Sequence, residues 1–229
     1  MHKQIGYNLI EIMLTLSLGV LVIAAMLNIY LATLRSSADT VKAVRLNYDM
    51  DAIMALMVND IRRAGYWGDA MVTADSKNNV FINGLAANLQ LPNGACLLYS
   101  YDADADGQID ANEFYGFKLE EGAIRMRFSG TTTADCNNGA WQEASVSQKV
   151  VITHLSFQAA YQCINTNAAI SYEQDCATLT PVQLPSASVA VESRMIKINV
   201  MGHLVGDIHV AKALNSIVKI KNDRIFMQP

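Results

Sequence analysis

Residues 102–113 carry acidic side chains at a telling spacing: Asp102, Asp104, Asp106, Asp110 and Glu113, with Gly107 after the third. This is the pattern of a twelve-residue calcium loop, matched at each diagnostic position. Calcium is a hard cation that takes about six to eight oxygens at about 2.3–2.6 Å. Asp102, Asp104 and Asp106, at loop positions one, three and five, offer carboxylate oxygens. Gly107 permits the sharp turn, and Gln108 would give its backbone carbonyl. Asp110 would act directly or through water, and Glu113, at position twelve, with both oxygens. Ile109 is expected to anchor the loop to the core. Without a cation, the crowded carboxylates would repel one another and oppose a compact loop.

The other residues able to do chemistry point to structure. Cys96, Cys136, Cys163 and Cys176 form an even set with no C-x-x-C, which favours disulfides over a zinc or redox centre. Of three possible pairings, Cys163–Cys176 closes a short local loop, which leaves Cys96–Cys136. Each bond would contribute about 3–4 kcal/mol through loop closure. The histidines, at 2, 154, 203 and 209, form no metalloprotease motif, and no nucleophile elbow or phosphate loop occurs. An enzyme is not expected. Lys219, Lys221 and Arg224 read as a solvated strand face.

The chain has 229 residues, 52% of them hydrophobic, and a net charge of -4. It is too apolar to be disordered and not basic enough for a nucleic-acid partner. Both averages are local in origin. Residues 102–113 hold five acidic residues and no basic one, so the rest of the chain is nearly neutral. Residues 7–34 are apolar at 21 of 28 positions and carry one charge, Glu11. As a helix they would span about 42 Å, enough for a hydrocarbon core of about 30 Å. A secretory signal would be shorter and end in a small-residue cleavage site. His2 and Lys3 precede the run and keep the N-terminus cytoplasmic. A carboxylate in such a run costs several kcal/mol unless paired or shallow, so Glu11 needs a partner.

A short basic leader ending in Gly6, then Tyr7, Glu11 and the apolar run, resembles a type IV prepilin N-terminus. The resemblance implies cleavage by a prepilin peptidase between Gly6 and Tyr7, and methylation of the new N-terminus. It also implies that Glu11 pairs with a neighbour's N-terminal amine during assembly. Tyr7 stands where the family usually has Phe, and Asn28 where major pilins commonly have Pro.

The helical pattern continues. Leu46, Met50, Ile53, Met57 and Ile61 form one apolar stripe, expected to pack on a globular domain. Gly65 supplies a stop, with Arg62 and Arg63 in the last helical turn. Residues 60–68, DIRRAGYWG, resemble the end of the long helix in PilW-type minor pilins, which are related to J-type pseudopilins of type II secretion. Tyr66 and Trp67 are expected to pack the helix onto the first strand. Beyond residue 78 the period becomes two. Strands are expected at 80–82, 96–101, 115–119, 123–128, 150–160, 189–200 and 215–221, with a hairpin around Glu120–Gly122. The acidic loop would therefore sit between strands, as a structural site of weak affinity.

The expected fold is α+β and type IV pilin-like, a long N-terminal helix packed on antiparallel sheets. Residues 1–6 would be the leader, 7–34 a transmembrane and fibre-core helix, 35–66 its amphipathic half, and 67–229 a β-rich periplasmic head. The resemblance implies a minor pilin of the tip or priming complex, held in the inner membrane before assembly and at the pilus tip afterwards. Its partners would be other minor pilins, the major pilin and a PilY-type tip adhesin. Two alternatives are a J-type pseudopilin and a calcium-dependent tip adhesin or DNA-binding pilus module.

Overall fold

The computed structural model describes residues 8–68, 78–84, 87–145 and 149–227. Gly6 and Tyr7, the expected cleavage site, lie outside them. The chain divides into two compact units, Met1–Arg45 and Leu46–Pro229.

In the first unit the described residues from Leu9 onward belong to helix α1 (Leu9–Ile61). It is long and apolar enough to cross a membrane. Its polar side chains turn back onto the helix. Thr15 donates to the Glu11 carbonyl at 3.0 Å, Asn28 to that of Ala24 at 2.8 Å and Thr33 to that of Ile29 at 2.9 Å. Such bonds satisfy polar groups without water, as a bilayer core requires.

In the second unit, Leu46, Met50, Ile53, Met57 and Ile61 are buried, as their spacing predicts, and Met54 joins them. The helix ends at Ile61, earlier than expected, and Arg62 and Arg63 lie in the turn beyond it. The cause is local. Arg63 and Ala64 bond back three residues, to Asp60 and Ile61, and tighten the turn. Gly65, at φ +73°, then sends its N–H to the Ser100 carbonyl at 2.8 Å. A left-handed residue there suits glycine.

Residues 80–82 are not a strand. Val80–Asn83 form a single helical turn, α2. Asn79 caps it, accepting from Phe81 N–H at 2.9 Å, and donates to the Gly65 carbonyl at 2.9 Å. Three apolar residues carry no period, and the cap decides.

Two antiparallel sheets follow. The first is a meander of β1 (Gln90–Asn93), β2 (Cys96–Ser100), β3 (Phe114–Glu120), β4 (Ala123–Ser129) and β5 (Ala140–Glu143). Glu121 and Gly122, both at positive φ, turn the expected β3–β4 hairpin. The second sheet comprises β6 (Val150–Asn165), β7 (Ile170–Tyr172), β8 (Val189–Leu204), β9 (Asp207–Lys219) and β10 (Arg224–Met227). Its order is β10-β8-β6-β7, with β9 also on β8. β6 and β8 outrun their expected ends because they pair with each other from Val150↔Leu204 to Asn165↔Ala190. β9 starts earlier than expected, directly after a turn at Gly206, φ +81°.

One core joins the α1 stripe to both sheets: Leu97, Tyr99, Phe117 and Ile124 from the first, Ile152, Leu155, Ile196 and Ile198 from the second. At Gly202 a Cβ would lie 3.2 Å from the Met50 sulfur and 2.9 Å from the Val151 carbonyl oxygen. The missing side chain lets helix and sheet approach. Cys96 is bonded to Cys136, and Cys163 to Cys176. The second bond sits in a small separate core with Leu179, Leu184 and Ala190. The architecture is thus α+β, a long N-terminal apolar helix with antiparallel sheets.

Candidate metal centre

The acidic loop connects β2 to β3, and the two strands hold its ends. Ser100 stands opposite Phe114, and Tyr101 N–H bonds to the Glu113 carbonyl at 3.3 Å. Just below, Asp60 on α1 is buried and accepts from the hydroxyls of Tyr99 and of Tyr101, the latter at 3.0 Å. Burial, then the Asp60 charge, pushes both phenols up. Arg63 lies over the Tyr101 ring at 4.1 Å. The end of α1 is therefore fastened to the strand that launches the loop.

Asp102 is fully buried. Its Oδ2 accepts from Gly68 N–H at 2.9 Å and Gly107 N–H at 3.0 Å, and its own N–H donates to the Tyr66 carbonyl at 2.9 Å. Its Oδ1 is also buried and has no hydrogen-bond partner. An orphan carboxylate oxygen away from water is costly. Asp104 and Asp106 are exposed, and their carboxylate oxygens cluster with that of Asp102 within 4.8 Å of one another. Backbone turns shape the cluster: Asp104 Oδ1 accepts from Asp106 N–H at 3.3 Å, and Asp106 Oδ1 from Gln108 N–H at 2.8 Å. Gly107 has φ +81° and Ala105 φ +64°.

Asp110 and Glu113 stand outside this cluster. Glu113 is buried, and its two oxygens accept from Ala103 N–H at 2.6 Å and Asp110 N–H at 3.0 Å. Burial raises its pKa, against the lowering effect of these bonds. Here the residue braces the loop across its neck. Gln108 directs its side chain to Asp106 at 3.4 Å. Ile109 is not an anchor: it is 38% exposed. Trp67 takes that part, donating its indole N–H to the Gly107 carbonyl at 3.2 Å. Trp67 thus reaches the loop, where packing onto the first strand was expected. Gly68 admits the loop closely, since a Cβ there would lie 2.5 Å from that of Ala105. The loop pattern carries no sign of Trp67 or Gly68; the signal was the adjacent aromatic–glycine sequence at the helix end.

The oxygen-only donors, the orphan Oδ1 and the left-handed turns fit a hard divalent cation. The other residues singled out are spread. Glu11 lies in the first turn of α1. Lys219 and Lys221 are exposed, but the basic run is not on one strand: Lys219 ends β9 and pairs with Asp223 at 3.8 Å, Lys221 lies in the connection, and Arg224 opens β10 and pairs with Glu192 at 3.7 Å. His154 is exposed on β6.

No curated protein matches the chain. Among solved structures, a type IV-like pilin from Thermus thermophilus aligns over 78% of this chain and 97% of its own, at 12% identity and a TM-score of 0.38. The family described as prepilin peptidase-dependent protein B matches residues 39–220. That span takes in the packed part of α1, the acidic loop, the first sheet and the second as far as β9, and the chain belongs to the prepilin peptidase-dependent protein B family.

Proposed function

We propose that the protein is a minor pilin of the type IV pilus, of PilW type, working in the tip or priming complex that starts assembly. The observation that carries this reading is the first unit. Among the described residues, the large apolar side chains from Leu9 to Leu34 are exposed, and Glu11 is the one charged residue along that stretch. The family's name adds dependence on prepilin peptidase; the cleavage between Gly6 and Tyr7 is part of this proposal and rests on the sequence resemblance alone. The inner membrane would hold the helix until Glu11 meets a neighbour's terminal amine, and the neighbours would be other minor pilins and the major pilin. Replacing Glu11 with Val leaves the head folded and the subunit in the membrane, but absent from sheared fibres. Normal incorporation of that variant would end this role for Glu11.

The acidic loop is, in this proposal, a structural calcium site. Asp102, Asp104 and Asp106 supply the first oxygens, with the Gln108 carbonyl and Asp110 completing the loop's share. Glu113 acts mainly as the brace. Calorimetry on the full chain in detergent should show calcium heat that Asp102→Ala abolishes and Glu113→Gln only weakens. Heat unchanged by Asp102→Ala would remove the site.

A further inference from the structure

Beside the acidic loop lies an open cleft of about 520 Å³, lined by Arg62, Arg63 and Lys221 together with Asp102 and Asp104. The fold assembles the three cations from distant parts of the chain. Lys221 N–H bonds to the Arg62 carbonyl at 3.1 Å. The Asn222 amide caps the Arg63 and Ala64 carbonyls at 3.2 and 3.0 Å. Arg62 and Lys221 are exposed, and among the described residues neither forms an ion pair or a side-chain hydrogen bond. Arg63 lies on Tyr101, which leaves the guanidinium edge open to a planar acceptor.

The charges depend on the neighbouring loop. With the loop empty, the three clustered carboxylates offset the three cations. A bound calcium removes most of that negative charge and leaves the cleft positive. One oxygen each from Asp102, Asp104, Asp106, the Gln108 carbonyl and Asp110 falls short of the about six to eight that calcium takes, and Glu113 is occupied with backbone N–H groups. We infer that the cleft is a calcium-dependent receptor for a carboxylate-bearing segment of a partner protein. Arg62, Arg63 and Lys221 pair with the carboxylate. The inference rests on the calcium reading above. A planar carboxylate suits the edge-on guanidinium of Arg63 and the hard cation alike.

The test uses the full chain in non-ionic detergent and a fluorescein-labelled oligoglutamate peptide, read by anisotropy at physiological ionic strength. Calcium calorimetry runs in parallel. The peptide binds in calcium and weakens at least about tenfold in chelator. It weakens as much in Arg62→Gln/Lys221→Gln, whose calcium heat is unchanged, and further in Arg62→Glu. Calcium heat with peptide binding indifferent to chelator or to the double variant overturns the cleft and leaves the calcium site standing. Stronger competition by inorganic phosphate or by phosphatidylglycerol nanodiscs than by free glutamate overturns the protein partner. Absence of calcium heat overturns the calcium reading and this inference with it.

Discussion

Gly68 donates its backbone N–H to the Asp102 carboxylate at 2.9 Å, and through this bond the segment that ends α1 holds the first position of the acidic loop. The contact is tight. A Cβ on Gly68 would meet Ala105 Cα at 2.6 Å, a backbone atom that cannot swing aside. Gly68→Ala should therefore displace the loop. Overpacking of this kind costs about 1–3 kcal/mol. Calcium affinity should fall and urea unfolding should shift to lower concentration. An unchanged affinity would show that the cation does not depend on this seat.

Trp67 offers a direct view of the same loop. Its indole N–H donates to the Gly107 carbonyl at 3.2 Å. In a Trp141→Phe background, Trp67 is the tryptophan left. Calcium titration should then change its emission, and Asp102→Ala should abolish the change. A calcium response that survives Asp102→Ala would place the cation elsewhere.

Asp60 is a buried acceptor shared by two phenols, those of Tyr99 and Tyr101. Asp60→Ala leaves both hydroxyls without this partner. The expected loss is about 2–4 kcal/mol in chemical denaturation, and Asp60→Asn, which keeps one acceptor oxygen, should lose less. Because Tyr101 precedes the loop, Asp60→Ala should also weaken calcium binding.

Glu192 makes the head sensitive to pH. It is buried on β8, where Oε2 accepts from Cys176 N–H at 3.0 Å. Burial first, and then the shared hydrogen bond with Asp175, push its carboxyl up to about 7 from 4.5. The folded state thus binds this proton more tightly than the unfolded chain does. The stability it confers is full below the unfolded value and is lost as pH rises through about 7. Melting temperature should decline over that window, and Glu192→Gln should flatten the decline. An equal slope in the variant would assign the effect to other groups.

The sequence was most legible where one period governed a long stretch. The stripe from Leu46 to Ile61 is buried as spaced, and β2, β3 and β4 fall close to their expected places. It was least legible where a single side chain or a partner strand decides. Asn79 turns Val80–Asn83 into a helix, and the β6–β8 pairing carries both strands past their apolar runs. β1, β5, β7 and β10 are three or four residues long, too short to show a period. In the loop, the spacing named the three clustered aspartates. It could not reveal that Glu113 turns to backbone N–H groups, or that Ile109 yields its place to Trp67.

The uncovered start of α1 poses a partition problem. Leu9, Leu16 and Ile29 are each about 70% exposed. Lipid tails and a bundle of like helices are nearly equivalent hosts for such side chains, because the hydrophobic drive between helices vanishes in hydrocarbon. Exchange between the two therefore turns on what hydrocarbon solvates badly, which along this stretch is chiefly the Glu11 carboxylate. In the assembly proposed above, one ionisable group would set the direction of transfer, while the apolar majority would only keep both destinations open.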